Sequence, residues 1–241
     1  MIDRVHVIFK THLDIGFTDF ARNVVEGYFT RHIPGAIALA KRMRDEGRPE
    51  RFIWTTGSWL ISEYLEQTSG GKRRLLEEAI LDGDIAWHGL PFTSHSELMD
   101  KSLFRHGLRL SGRLDRDFGR RTIAAKMTDV PCHTRAIVPL LAEAGIEFLH
   151  IGVNPACPAP DVPDLFVWRH PDGSEVTVMY HKGTYGESMT VPGLAEAIAF
   201  AHTGDNQGPQ GPEAIRHSFE GLRARFPGAQ VQRGQDILDQ Q

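Results

Sequence analysis

The sequence is poor in cysteine: only Cys132 and Cys157 occur, and neither belongs to a C-x-x-C pair. Two such thiols exclude a disulfide framework, and the usage is that of a reduced, cytoplasmic protein. Basic excess is also missing. Lys+Arg 27 against Asp+Glu 31 gives a formal net charge of -4, so no nucleic-acid partner is expected. No apolar run approaches the length of a membrane span. The start, Met1-Ile2-Asp3-Arg4-Val5, has neither a basic n-region nor an apolar core, so no secretory leader is read there. Neither the G-x-G-x-x-G dinucleotide fingerprint nor the P-loop pattern follows a strand. What remains is a chain of 241 residues, 41% hydrophobic and 24% charged. That is ordinary globular usage, here read as a single domain over 1–241. The unusual figure is 12 histidines, several of them beside acids, glycines or prolines.

Strand and helix patterns alternate along the chain. Val5–Phe9, Arg51–Thr55, Asp84–Trp87, Thr122–Met127 and Phe148–Gly152 read as five short buried strands. Helical spacing covers Phe20–Arg44, with Pro34 splitting it and Gly47 and Pro49 stopping it. It recurs at Ser58–Glu66, Lys72–Leu81 and Thr134–Ala144. The capping-box form Ser94-His95-Ser96-Glu97 predicts a helix from there to about Phe118. Asp161–Trp168 and Glu175–Tyr180, around His170-Pro171-Asp172-Gly173, read as an inserted β-hairpin. Val191–His202 and Pro212–Phe226 return to helix, and the Gln-rich end from Gln230 shows no clear element. This order argues for an α/β fold with a parallel sheet covered by helices, either open or closed into a barrel. Both architectures place their chemistry at the carboxyl ends of the strands.

Polar residues collect at those ends. After strand one, His12 and Asp14 are two apart, so an extended chain aims both to one side. An imidazole beside a carboxylate suits zinc or a similar divalent ion, and equally suits an ordinary hydrogen-bonded pair. After strand four come Asp129, Cys132 and His133. Asp129 reads as a functional carboxylate or a helix cap, and Cys132 as a small buried thiol. Trp54 and Trp59 follow strand two, Trp87 and His88 follow strand three, and His181 and Tyr185 follow the hairpin. Aromatic faces with imidazole and hydroxyl donors are what a sugar-binding pocket combines, although each cluster alone also reads as core plus loop.

Several of these motifs, in this order, resemble glycoside hydrolase family 38, the α-mannosidases. The likeness is carried by His12-Leu13-Asp14 with Gly16-Phe17, by Phe52-Ile53-Trp54 with Trp59-Leu60-Ile61, and by Gly83-Asp84-Ile85 with Trp87. Thr128-Asp129 with Pro131 and His133, and His202-Thr203-Gly204-Asp205-Asn206, continue it. The resemblance implies a seven-stranded β/α barrel, incomplete in this chain, and a carbohydrate substrate. It implies one zinc ion held by His12, Asp14 and Asp129 with a further His, and a retaining mechanism with Asp129 as nucleophile. Asp205 is the expected acid, with Glu97 and Asp100 behind it. Trp54, Trp59, Trp87, His88, His133, His181 and Tyr185 are the expected sugar contacts. In this family the fourth ligand lies in a His-His-Asp segment downstream, and helical and β-sandwich domains follow. The chain therefore resembles the N-terminal portion of a longer protein, with an unpaired sheet edge expected to promote self-association. A metal-dependent sugar deacetylase-like hydrolase, and a non-catalytic remnant that binds carbohydrate, are the alternatives.

Overall fold

The structure is a computed structural model that describes residues 1–47 and 50–233. It divides into two compact units: Met1–Thr55 with Gly70–Ala86 and the chain from Glu187 on, and Thr56–Ser69 with Trp87–Gly186. Pro49 and the residues after Arg233 lie outside the described residues.

The first unit is organised by β1 (Arg4–Thr11), most of whose residues are buried. A strand buried on both faces is what a parallel sheet needs at its centre. The chain continues through α1 (Ala21–Gly27), a five-residue π-turn over Tyr28–His32, and α2 (Ile33–Asp45). Proline stands in the first turn of α2, where the missing N–H costs least. The wide turn before it is closed by the Ile33 N–H on the Tyr28 carbonyl, so the helical run continues past Pro34. Next come β2 (Trp54–Gly57), α3 (Ser58–Gln67), α4 (Gly70–Leu81) and β3 (Ile85–His88).

The second unit holds α3, then α5 (Lys101–Phe118), β4 (Ala124–Asp129), α6 (Ile137–Glu143), β5 (Phe148–Val153), β6 (Leu165–Arg169) and β7 (Glu175–His181). Its four strands run in the order β4-β5-β7-β6. The pairs β4–β5 and β5–β7 are parallel, and β6–β7 is the expected antiparallel hairpin. One face carries Ala125, Met127, Leu149, Ile151, Val176 and Val178, packed with Leu108 of α5 and Leu141 of α6. The helix expected from Ser94 starts later. Only a short 3₁₀ turn, Ser96–Leu98, forms there, because the hydroxyl of Ser94, the expected cap, donates instead to the Phe92 carbonyl at 3.3 Å. Asp100 is the cap that works, its carboxylate accepting the Leu103 N–H at 2.8 Å.

The first unit is completed by β8 (Ser188–Thr190), β9 (Glu196–Thr203), α7 (Pro212–Arg225) and β10 (Gln230–Arg233). Here the structure corrects the sequence reading twice. The stretch expected as helix from Val191 to His202 contains β9, paired in parallel with all of β1. Alanine is the best helix former, yet Ala197, Ala199 and Ala201 alternate with Ile198 and Phe200. The period of two prevails once an eight-residue partner strand is present. The Gln-rich end also supplies β10, parallel to Arg4–Val7. Strand β9 covers one edge of β1, while β2 and β10 share the other, at its carboxyl and amino ends respectively.

The parallel strands and covering helices agree with the α/β expectation. The closed seven-stranded barrel does not appear among the described residues. They form two separate sheets, one of six strands and one of four, and neither closes. Antiparallel strands end both of them, β8 beside β9 and β6 beside β7. No helix of the described residues is long and apolar enough to cross a membrane.

Candidate functional site

Strands β1 and β9 run side by side in register, so Lys10 pairs with His202 and Thr11 with Thr203. Registered partners in a parallel sheet share a face. The face of Val7, Phe9 and Thr11 is packed: Phe9 meets Phe52 and Phe219, with ring centroids 5.3 and 5.8 Å apart. The other face carries His6, Lys10 and His12, all buried. Burial alone pulls the Lys10 ammonium down to about 7.

Just past the end of β1, His12 is 1% exposed. Its Nε2 lies 3.1 Å from Asp14 Oδ1 and 4.0 Å from Asp205 Oδ1. Candidate ligand atoms of these three residues lie within 4.8 Å of one another. Asp205 belongs to the loop after β9, and the neighbouring Asn206 ties that loop to β1. The Asn206 N–H donates to the His12 carbonyl at 3.0 Å. Its Oδ1 accepts the Asp14 N–H at 2.9 Å, and its Nδ2 donates to the Asp14 carbonyl at 2.8 Å. Asn206 has φ 54, a left-handed conformation that asparagine tolerates.

Farther along the loop, the Gly208 carbonyl accepts from both Thr11 and Thr203 hydroxyls at 2.7 Å. Tyr28 reaches Asn206 Oδ1 at 3.5 Å, and burial with the nearby Asp14 charge pushes its hydroxyl up. One imidazole and two carboxylates around one point fit a divalent cation. His12 and Asp14 therefore meet as the sequence predicts, and the third member within this unit is Asp205.

The second unit builds a different polar centre. Asp129 ends β4 with φ 74, again a conformation that aspartate accepts better than most residues. Its Oδ1 accepts from Asn154 Nδ2 at 2.9 Å and from the Tyr185 hydroxyl at 2.8 Å. The Asn154 N–H also donates to the Asp129 carbonyl at 3.0 Å. Two donors on one carboxylate oxygen fix the plane of the group.

Beneath it, Lys126 Nζ lies 2.7 Å from His150 Nδ1 and donates to the Tyr185 carbonyl at 2.7 Å. His150 Nε2 lies 2.7 Å from His181 Nδ1. His181 is pushed down to about 4, chiefly by burial and then by the Lys126 charge, against a pull from Asp164.

The remaining expected sugar contacts are placed as follows. Trp54 is fully buried; it donates to Thr11 Oγ1 at 2.9 Å and stacks on Tyr28. Trp87 donates to Asp115 at 3.0 Å and lies under the Arg120 guanidinium. Trp59 meets Phe92 edge to face. His88 is buried. His133 Nδ1 lies 3.2 Å from Ser96 Oγ, and burial takes this imidazole down to about 4. Glu97 sits in the 3₁₀ turn and Asp100 caps α5. Asn154, Asn206, Lys126 and His150 are polar participants that the sequence reading missed.

No protein-family model matches the sequence. No curated protein matches it either. Solved structures do match. An α-mannosidase from Enterococcus faecalis V583 superposes with a TM-score of 0.75 over 98% of this chain at 12% identity. A family 38 glycosyl hydrolase protein from Enterococcus faecalis gives 0.62 over 97% at 10% identity. A 4-α-glucanotransferase from Thermococcus litoralis gives 0.62 over 100% at 15% identity. The chain thus has a glycoside-hydrolase-like fold, resembling family 38 structures along nearly its whole length. It spans 29%, 26% and 41% of those three chains, respectively.

Proposed function

We propose that the chain is the sugar-handling part of a metal-dependent glycoside hydrolase acting on α-linked sugars, with Asp129 as its nucleophile. The observation that carries this is Asp129 itself. It is a carboxylate at the carboxyl end of a parallel strand, held in a left-handed conformation and clamped on one oxygen by Asn154 and Tyr185. The α-linkage is the chemistry shared by the names of the α-mannosidase and the 4-α-glucanotransferase.

In the proposed reaction an Asp129 oxygen attacks the anomeric carbon as the glycosidic C–O bond breaks. The electron pair goes to the leaving oxygen, which takes a proton from a second acid. Water then displaces Asp129 from the anomeric carbon and gives its proton to the conjugate base of that acid, so configuration is retained. The fixed carboxylate plane lowers the cost of reaching attack geometry.

His12, Asp14 and Asp205 are the residues of the first unit that would hold a divalent cation. Zinc bound there would supply positive charge for sugar hydroxyls. His12 gives the neutral nitrogen, and Asn206 holds the Asp14 backbone in place on both sides. We assign Asp205 to cation binding because it stands in this cluster with His12 and Asp14.

The test is a panel of aryl α- and β-glycosides of mannose and glucose, assayed with and without added zinc. Metal-dependent hydrolysis of an α-glycoside, abolished in Asp129→Asn, supports the reading. Deacetylation of an N-acetyl sugar without glycoside cleavage would replace it with the deacetylase reading.

A further inference from the structure

The buried ammonium of Lys126 is the feature that the proposed reaction leaves unused. It stands in the middle of β4 and is 5% exposed. A buried charge is costly unless its hydrogen bonds are met. An apolar residue would serve packing alone at least as well. The register explains what the charge reaches. Lys126 pairs with His150, and Thr128 pairs with Gly152, which pairs with His181. All five therefore share one face of the sheet.

The loop from Lys182 to Gly186 lies directly on that face, over Gly152. A Cβ at Gly152 would sit 2.6 Å from the Tyr185 carbonyl carbon and oxygen, and 2.9 Å from the Thr184 oxygen. Only glycine leaves room for the loop. Once seated, the Tyr185 carbonyl accepts from Lys126 and its hydroxyl donates to Asp129.

We propose that Lys126 is a positioning residue that seats Tyr185 on Asp129 and, through His150, sets the tautomer of His181. The role rests on the reading of Asp129 as the working carboxylate. An ammonium has three donors and no acceptor. His150 Nδ1 must then accept from Lys126, which puts the His150 proton on Nε2. That proton points to His181 Nδ1, so the His181 proton is also on Nε2. His181 is therefore a neutral imidazole with its N–H on a fixed atom, at the carboxyl end of β7. The downward push on its basicity agrees with a neutral ring. A hydroxyl oxygen of a sugar is the ligand class such a donor suits.

The test needs no turnover. Nitrogen-15 imidazole spectra of the full chain should show His150 and His181 both with the proton on Nε2. In Lys126→Met the His150 signal should lose that single form. Crystal structures of Lys126→Met and Gly152→Ala should show the Tyr185 hydroxyl beyond hydrogen-bond reach of Asp129. Gly152→Ala should leave both tautomers unchanged, because the ammonium is still present. A His150 proton found on Nδ1 in the unaltered chain would overturn the proposal. So would a Tyr185–Asp129 contact that stays at its original length in Lys126→Met. If Lys126→Met fails to fold, the His150 and His181 tautomers of the unaltered chain still decide the matter. An intact tautomer chain in a protein that cleaves no glycoside rejects the glycosidase reading alone.

Discussion

Asn154 holds Asp129 twice, through its side-chain amide on Oδ1 at 2.9 Å and through its backbone N–H on the Asp129 carbonyl at 3.0 Å. The paired grip ties the end of β4 to the end of β5 and turns a strained backbone into a fixed carboxylate. Asp129→Asn keeps the shape and the tolerance for positive φ, so its thermal midpoint should stay near that of the parent. Its turnover of an aryl α-glycoside should fall by about 10³-fold or more, since the nucleophile's charge is gone. Asn154→Ala should retain the nucleophile and lose one hydrogen bond to it. That is worth about 1–2 kcal/mol, or roughly a tenfold loss in kcat/KM. Steady-state kinetics on the two variants check the difference, and equal losses would deny Asn154 its orienting role.

Asp205 can be tested as a cation ligand against the proton-donor role first expected of it. Removing a ligand should weaken zinc binding at least about tenfold and harm all leaving groups alike. Removing an acid should spare activated aryl glycosides and harm poor leaving groups. We expect the first pattern for Asp205→Asn, read by zinc titration calorimetry and by a leaving-group series. Unchanged zinc affinity would return Asp205 to the proton-donor role.

Some of this was legible before the fold. His12 and Asp14 could be paired from strand parity alone, and Asp129 from its place after a strand. The same strand-end rule, applied after β5, would have found Asn154, which follows Val153 directly. Lys126 and His150 had a signal too, a polar residue in the middle of an apolar strand. Their meeting depends on β4–β5 register, which no local pattern contains. The β9 misreading has the opposite origin. Alanine's helix propensity is local, whereas the eight pairs with β1 are separated by nearly the whole chain. The antiparallel pairs β6–β7 and β8–β9 are by contrast local, each joining strands that follow one another in sequence, and of the two only the first carries a turn signal, His170-Pro171-Asp172-Gly173.

Acid should destabilise the fold through His133. An unfolded imidazole takes its proton near 6.5, and burial holds this one down to about 4. Between those values the unfolded chain binds more protons, so stability falls as the pH drops from 6.5 through 4. Above 6.5 both states are neutral and this contribution is flat. The largest loss expected, below pH 4, is about 3 kcal/mol. His181 works in the same direction. Urea denaturation at pH 7, 5.5 and 4 should show the slope, and His133→Gln should reduce it. An unchanged slope in that variant would assign the acid sensitivity to other groups.

The Gly208 turn supports the His12 cluster from beneath, and its substitution should damage both stability and cation binding. Gly208 has φ +74, and a Cβ there would lie 2.5 Å from His32 Cε1 and nearer still to Nδ1. The residue is doubly constrained, by a left-handed backbone and by the half-buried His32 ring, which packs on Tyr28 with ring centroids 5.0 Å apart. Its carbonyl is also the shared acceptor for Thr11 and Thr203, the last residues of β1 and β9. Gly208→Ala should therefore cost about 2–4 kcal/mol, from strain and overpacking together. The displaced turn should also shift Asp205 away from His12, so zinc affinity should fall by more than in His32→Ala, which opens space but leaves the carbonyl in place. The double variant Gly208→Ala with His32→Ala should recover part of the stability, because the clash is removed while the φ strain stays. Thermal melts and zinc titrations of the three proteins decide this. If Gly208→Ala alone melts with the parent and binds zinc as tightly, the turn is not what holds the two strand ends together.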